Sequence, residues 1–377
     1  MKTKILTTAA MCALPFLLCA GPLDSWTSRN SGTTNNLFGA TFANGTFVVV
    51  GASGTILTSP DGLNWTSQNP GNTNVGAGII FDGTTWVATG LGGTILTSTN
   101  LVSWSQQTSG TTNLLREAYY TNGTFVVVGK LGTILTSTDA TNWVSRSSGT
   151  TNDLAGVAYA SGTFVVAGKS GVILTSPTGV TWTSRISGTT ADPTGITYGN
   201  GLFVVSGDAS PVVSDGGLIL TSPDGVTWTL QNSGAPHELS GVKFGTGVFV
   251  AVGTAGGPYQ EIDTSPDGTN WTLRISGLGP SLYRTAYGAG TFVVVGNSGT
   301  ILQSGDTSLR LIQPQFSGNS FGFTLTNGIG QRSHVQESTN LTTWGSILTN
   351  NSTPASLQFQ DTTGTTSSRR FYRVVVP

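Results

Sequence analysis

The chain has 377 residues, of which 9% are charged and 53 are glycine. That length accommodates one large domain and a small one, and glycine scattered throughout points to many tight turns rather than to a collagen or a disordered linker. A formal net charge of -1 with no basic block anywhere excludes an ordinary nucleic-acid-binding surface.

At the N-terminus, Lys2 and Lys4 precede an apolar run from Ile5 to Leu18, and the small residues Ala20 and Gly21 follow. This is the layout of a secretory signal peptide over residues 1–20. The run is too short for an ordinary bilayer-spanning helix, and no later segment matches even its length, so an exported chain without a transmembrane segment is expected. Both cysteines, Cys12 and Cys19, lie in this leader, and lipidation at Cys19 would favour a small residue where Leu18 stands. The mature chain then has no disulfide, thiol nucleophile or cysteine metal site. Without Lys2 and Lys4, 14 basic residues face 17 acidic ones, a net charge of -3.

A repeat then begins. Tryptophan recurs at Trp26, Trp65, Trp104, Trp143, Trp182, Trp228 and Trp271, with spacings of 39, 39, 39, 39, 46 and 43. The aromatic residue opening each valine-rich run, at Phe47, Trp86, Phe125, Phe164, Phe203, Phe249 and Phe292, keeps the same spacings. Short apolar runs and glycine turns at such a period predict propeller blades of four strands. In the fourth repeat the strands read Gly156 to Tyr159, Thr163 to Ala167, Val172 to Thr175, and a last one beside Trp182. The second is apolar on consecutive residues, which fits a strand covered on both faces by neighbouring blades. The seventh repeat lacks its Trp strand, whereas Trp26-Thr27-Ser28-Arg29 is a Trp strand with no blade before it. The expected fold is all-β: a seven-bladed β-propeller over residues 21–307, closed by the N-terminal strand, then a small β-sandwich over 308–377.

The turn before each tryptophan, as in Ser59-Pro60-Asp61-Gly62, Ser222-Pro223-Asp224-Gly225 and Ser265-Pro266-Asp267-Gly268, resembles the Asp-box of sialidase-type (BNR) repeats, one residue shorter than the usual pattern. The resemblance extends over the repeats as a whole and is similar to that of photosystem II assembly factor propellers. It implies a secreted propeller and, by itself, no activity. Asn100 and Thr178 replace the aspartate in two repeats. Asp61, Asp139, Asp224 and Asp267 are read as turn-forming residues that accept backbone N–H bonds. The tail, with Ser-Thr-Asn-Leu-Thr-Thr-Trp at Ser338 to Trp344 and a closing Arg370-Phe371-Tyr372-Arg373, resembles the small C-terminal β-domain of Verrucomicrobia-type exported proteins.

Function must come from the places where the repeat breaks. Blades 5 and 6 carry extra residues between their second and third strands, within Gly207 to Gly216 and Thr254 to Glu261. Three residues before the inner-strand aromatic stands glycine in five repeats, but Glu117 and Arg284 in the third and seventh. These features predict a polar ligand-binding site at the channel mouth built by Arg116, Glu117, Asp208, Asp215, His237, Glu238, Tyr259, Glu261, Tyr283 and Arg284. The sialidase Arg-Ile-Pro motif is absent, and Arg29, Arg146, Arg185 and Arg274 each follow a repeat Trp by three residues, on outer strands that cannot converge. No catalytic residue, cofactor or metal is assigned. The reading is an exported, monomeric, non-catalytic binding or scaffold propeller for a protein or glycan. The alternative is a carbohydrate-active, sialidase-like glycoside hydrolase using the blade 5 and 6 loops, with Glu238, Glu261, Asp208 and Asp215 as the pool from which its two carboxyl groups would come.

Overall fold

The computed structural model describes residues 22–209, 216–254, 259–307, 310–317, 320–326, 333–338, 342–350, 356–361 and 371–375. The expected leader, residues 1–20, lies outside them. Among the described residues no helix is long and apolar enough to cross a membrane.

Seven four-stranded antiparallel sheets account for the repeat. Blade 4, with strands Leu154–Ala160, Thr163–Gly168, Val172–Ser176 and Thr183–Arg185, follows the sequence reading closely. Each blade's first strand packs beside the first strand of the next, and Leu282–Gly288 of blade 7 packs beside Leu37–Ala43 of blade 1, so the ring closes around a central channel. The second strands are buried on both faces: Phe47, Val48, Val49 and Val50 are all at most 1% exposed. Apolar clusters fill each gap between blades. In every blade the inner-strand aromatic lies against the one opening the second strand, as Tyr120 does against Phe125 at 4.5 Å between ring centroids.

The N-terminal strand Trp26–Arg29 is the fourth strand of blade 7, in the order Leu282–Gly288, Thr291–Gly296, Ile301–Ser304, Trp26–Arg29. The tail forms two three-stranded sheets, one of Arg310–Ser317, Ser320–Thr326 and Ser356–Asp361, the other of Ser333–Ser338, Gly345–Asn350 and Phe371–Val375. Among the described residues, Phe323 and Leu325 from one sheet and Val335 from the other share an apolar core.

The aspartates before the repeat tryptophans form turns. Asp61 Oδ1 accepts the Leu63 N–H at 2.9 Å, and Trp65 Nε1 donates to the Gly62 carbonyl at 3.1 Å. Gly62 adopts φ +77°, the left-handed region the turn requires. Asn100 makes the same bonds through its amide oxygen, accepting the N–H groups of Val102 and Ser103 at 2.9 Å each, and the Thr178 hydroxyl accepts Val180 N–H at 3.4 Å. Asn100 and Thr178 therefore keep the acceptor and drop the charge. Main-chain N–H groups of Leu63, Asn142 and Thr227 hold the carboxyls of Asp61, Asp139 and Asp224 below the usual range. A depressed folded pKa contributes stability that is present above the unfolded carboxylate pKa and lost as pH falls through the folded value, so these turns loosen only in acid. Asp224→Ala removes the acceptor for Val226 and Thr227 and should cost about 1–2 kcal/mol. Asp224→Asn, mimicking Asn100, should stay within about 0.5 kcal/mol. Urea unfolding midpoints measure both, and equal losses would count against the acceptor role.

Candidate functional site

Each inner strand begins with a β-bulge, and the residue after it faces the narrowest part of the ring, here called the neck. Glycine there lets neighbouring inner strands touch: a Cβ on Gly39 would lie 2.6 Å from the Ala77 carbonyl oxygen, and one on Gly241 2.5 Å from that of Tyr283. Glu117 and Arg284 occupy this same position, opposite Val128 and Val295 in their blades. The two exceptions meet. Arg284 Nε lies 3.6 Å from Glu117 Oε2, linking blade 7 to blade 3 across the neck. The Arg284 guanidinium also donates to the main-chain carbonyls of Ser240 at 2.5 Å, Tyr283 at 3.0 Å and Thr194 at 3.2 Å. Its planar fork thereby ties blades 5, 6 and 7 together.

Two further cations stand in the neck. Arg116 lies beside Glu117 on the strand Leu115–Thr121, and its Nε is buried with no hydrogen-bond partner among the described residues. Burial lowers its pKa, the nearby Arg284 charge lowers it further, and Asp153 opposes both. Lys243, on the strand Glu238–Gly245, is ringed by protein yet open to solvent along the channel. Burial pushes its ammonium down and Glu117 opposes that shift. Burial pushes the Glu117 carboxyl up, against the pull of Arg284 and Lys243. Arg284 and Lys243 thus act on the Glu117 carboxylate, while Arg116 stands between the charges of Arg284 and Asp153, in a confined space where fields are strong.

Above the neck the rim is acidic and aromatic. Burial raises the Glu238 pKa, and the carboxylates of Asp208 and Asp192 raise it further. Asp208 ends the strand Leu202–Asp208, paired with Asp192. Tyr283 donates to Asn297 Oδ1 at 2.7 Å and lies 5.4 Å from Phe38 between ring centroids, and Phe38 is 37% exposed.

Arg116, Glu117 and Arg284 therefore share the neck, while Asp208, Glu238 and Tyr283 share the rim. His237 is half-buried immediately before Glu238. Asp215 lies outside the described residues, and so does the side chain of Tyr259, which opens the strand Tyr259–Ser265. Glu261 requires a correction. It was expected on a solvent-facing loop, but it sits on that strand paired with Gly253, the ordinary third-strand position that Thr55 takes opposite Gly51 and Val172 opposite Gly168, and it is 0% exposed. Asp208 likewise lies on a strand.

Two residues that matter were missed from the sequence, and both had a signal. Lys243 stands where the other blades have Thr41, Ile80, Tyr119, Ala158, Thr197 and Ala286. Asp263 interrupts the Ile-Leu motif seen at Ile56-Leu57, Ile95-Leu96, Ile134-Leu135, Ile173-Leu174, Ile219-Leu220 and Ile301-Leu302. The outer-strand arginines behave as the repeat predicts. Nε of Arg146, Arg185 and Arg274 donates to Thr136, Thr175 and Thr264 at 2.8 Å each, and Gln107 and Gln231 do the same for their own blades.

No family model and no curated protein matches the chain. Among solved structures, it is similar to YCF48 bound to D1 peptide, with TM-score 0.59 and 16% identity over 74% of this chain and 94% of that one. It is similar also to virginiamycin B lyase from Staphylococcus aureus, with TM-score 0.64 and 13% identity over 74% of this chain and 99% of that one. The WD40 β-propeller domain of Doa1 aligns with TM-score 0.56 and 14% identity over 74% of this chain and 95% of that one. At such identities the likeness is one of architecture, and a peptide-bound protein and a lyase both share it: what these neighbours establish for the chain is the β-propeller fold.

Proposed function

We propose that this chain is an exported, non-catalytic binding or scaffold propeller that recognises a segment of a protein or glycan through its loop face. The observation that carries this reading is the convergence of Arg116, Glu117, Lys243 and Arg284 at the neck, at and beside positions that are otherwise glycine or uncharged. Arg284 is committed to main-chain carbonyls, which leaves Arg116 and Lys243 as the cations with capacity for an incoming acceptor. The peptide complex of YCF48 supports the use of such a scaffold for peptide recognition. Export through residues 1–20 belongs to the same proposal. The glycoside-hydrolase alternative loses one of its four candidate carboxyl groups, because Glu261 is enclosed between blades.

The test is a peptide library and a glycan array probed with the full chain, alongside a panel of fluorogenic glycosides. Lys243→Ala and Arg116→Ala should each weaken whatever binding is found by at least about tenfold, with an unchanged unfolding temperature. Undiminished binding in both variants, or turnover of a glycoside, would overturn the reading.

A further inference from the structure

A second polar feature lies away from the channel, between blades 5 and 6. At each blade interface a second-strand residue of one blade faces the cluster that holds the third-strand leucine of the next. The pairs Val50 and Leu96, Val128 and Leu174, Ala167 and Leu220, Val252 and Leu302, and Val295 and Leu57 each share one apolar cluster. Between blades 2 and 3, Thr89 takes the first position and uses its hydroxyl to accept the Gly78 N–H at 3.1 Å. Only between blades 5 and 6 are both positions polar, occupied by Ser206 and Asp263. Two residues before Asp263, and therefore on the same face of the strand, Glu261 replaces the Thr55, Thr133 or Val172 of other blades.

All three side chains are sealed: Glu261 and Ser206 are 0% exposed and Asp263 is 1% exposed. Both carboxyl oxygens of Glu261, Oδ2 of Asp263 and Oγ of Ser206 have no hydrogen-bond partner among the described residues. The strand partner of Asp263 is Ala251, where blades 1, 3, 4, 5 and 7 have Val49, Val127, Val166, Val205 and Val294. The smaller side chain makes room. The replacements Ser206, Glu261 and Asp263 thus put orphaned oxygens into one interface that is otherwise built from Val204, Ile219, Leu239 and Val242.

Two ionised carboxylates buried among apolar side chains cost several kcal/mol each unless compensated. One shared proton would satisfy a single oxygen pair and leave the remaining acceptors unmet. A hard cation takes six to eight oxygen ligands and can engage all of them together with main-chain carbonyls and water. The donor set, two carboxylates and a hydroxyl, is oxygen alone, which disfavours transition metals. We propose that the interface between blades 5 and 6 binds a divalent cation of the calcium class through Glu261 and Asp263, with the Ser206 hydroxyl as a third ligand. The bound cation would pin together the two blades with the longest hairpins, which also carry the acidic rim.

The test uses the full chain stripped with EGTA and followed by thermal unfolding in calcium chloride, with magnesium chloride for comparison and elemental analysis of the dialysed protein. Calcium chloride should raise the unfolding temperature by several degrees, and Ser206→Ala should weaken the apparent affinity roughly tenfold. Because Glu261→Gln or Asp263→Asn alone could misfold, the decisive variant is the double Glu261→Thr with Asp263→Leu, which restores the residues of the other blades. It should fold and lose the calcium response. No calcium response in the unaltered chain, or an equal response in the double variant, would overturn the proposal. An unfolding temperature that follows pH but not calcium would also overturn it, assigning the pair a shared proton instead.

Discussion

A chain that begins at Gly32, lacking Trp26–Arg29, is expected to lose its sharp unfolding transition and to populate an open, aggregation-prone ring. The missing strand pairs Trp26 with Ser304, Thr27 with Gln303, Ser28 with Leu302 and Arg29 with Ile301. Leu23, 2% exposed, is buried with Val250, Val252 and Phe292 in the cluster between blades 6 and 7, and Trp26 packs on it. Arg29 Nε donates to Gln303 Oε1 at 2.8 Å, and Gln303 Nε2 donates to the Asp61 carbonyl at 2.8 Å, so the seam is tied to blade 1 as well. Asp24 pairs with Arg274 of blade 6. Burial of Leu23 and most of Trp26 contributes about 3–5 kcal/mol and the ladder hydrogen bonds about 1 kcal/mol each. The sum approaches the whole stability of an ordinary domain. It also exposes Ile301–Ser304 as an unpaired edge, a template for association. Calorimetry and light scattering of the truncated chain check this, and a synthetic peptide covering residues 22–31 should restore the transition in trans. A sharp transition within a few degrees of the intact chain would refute the closure as a source of stability.

The ring and its seam were legible because they follow from spacing. Seven tryptophans and seven strand-opening aromatics at matched intervals allow no other blade count, and an unmatched Trp strand at one end with a missing one at the other leaves closure as the economical solution. The neck was half legible. Glu117 and Arg284 were visible as departures from glycine, but that they pair with each other depends on ring curvature, which brings blade 3 and blade 7 within reach of a long side chain. Lys243 was overlooked because an alternating strand tolerates a polar residue without comment, and only the register shows that this one lines a channel. Glu261 was misplaced for a related reason. The extra residues of blade 6 were read as reaching Glu261, whereas Glu261 pairs with Gly253 as Thr55 pairs with Gly51, so a residue counted with the loop holds a core position of the repeat.

Arg284→Ala is expected to cost about 2–4 kcal/mol, discounted from the value for a fully buried pair because the side chains of Arg284 and Glu117 are 21% and 31% exposed. The loss has two parts. The carbonyls of Ser240 and Thr194 lose a charged donor, and Glu117 loses its nearest counter-charge, keeping only the attraction of Lys243. The second part is pH-dependent, and its sign is fixed. Burial already raises the Glu117 pKa, so the folded chain holds that proton more tightly than the unfolded chain does. The stability this contributes is complete below the unfolded carboxylate pKa and is lost as pH rises through the folded value. Removing Arg284 raises the folded value further, so Arg284→Ala should be more damaging at pH 8 than at pH 5. Adding Glu117→Ala to Arg284→Ala should recover about 1–2 kcal/mol at pH 8, since it removes the stranded charge but not the lost carbonyl bonds. Arg284→Lys should restore part of the charge term and little of the rest, because an ammonium cannot reach three acceptors in one plane. Urea unfolding of the intact chain and these variants at both pH values, with Glu117→Ala alone added, gives the cycle. Equal losses at pH 5 and pH 8 with no recovery in the double variant would mean that Glu117 and Arg284 are independent surface charges, and the neck would then lose its claim to be a built site.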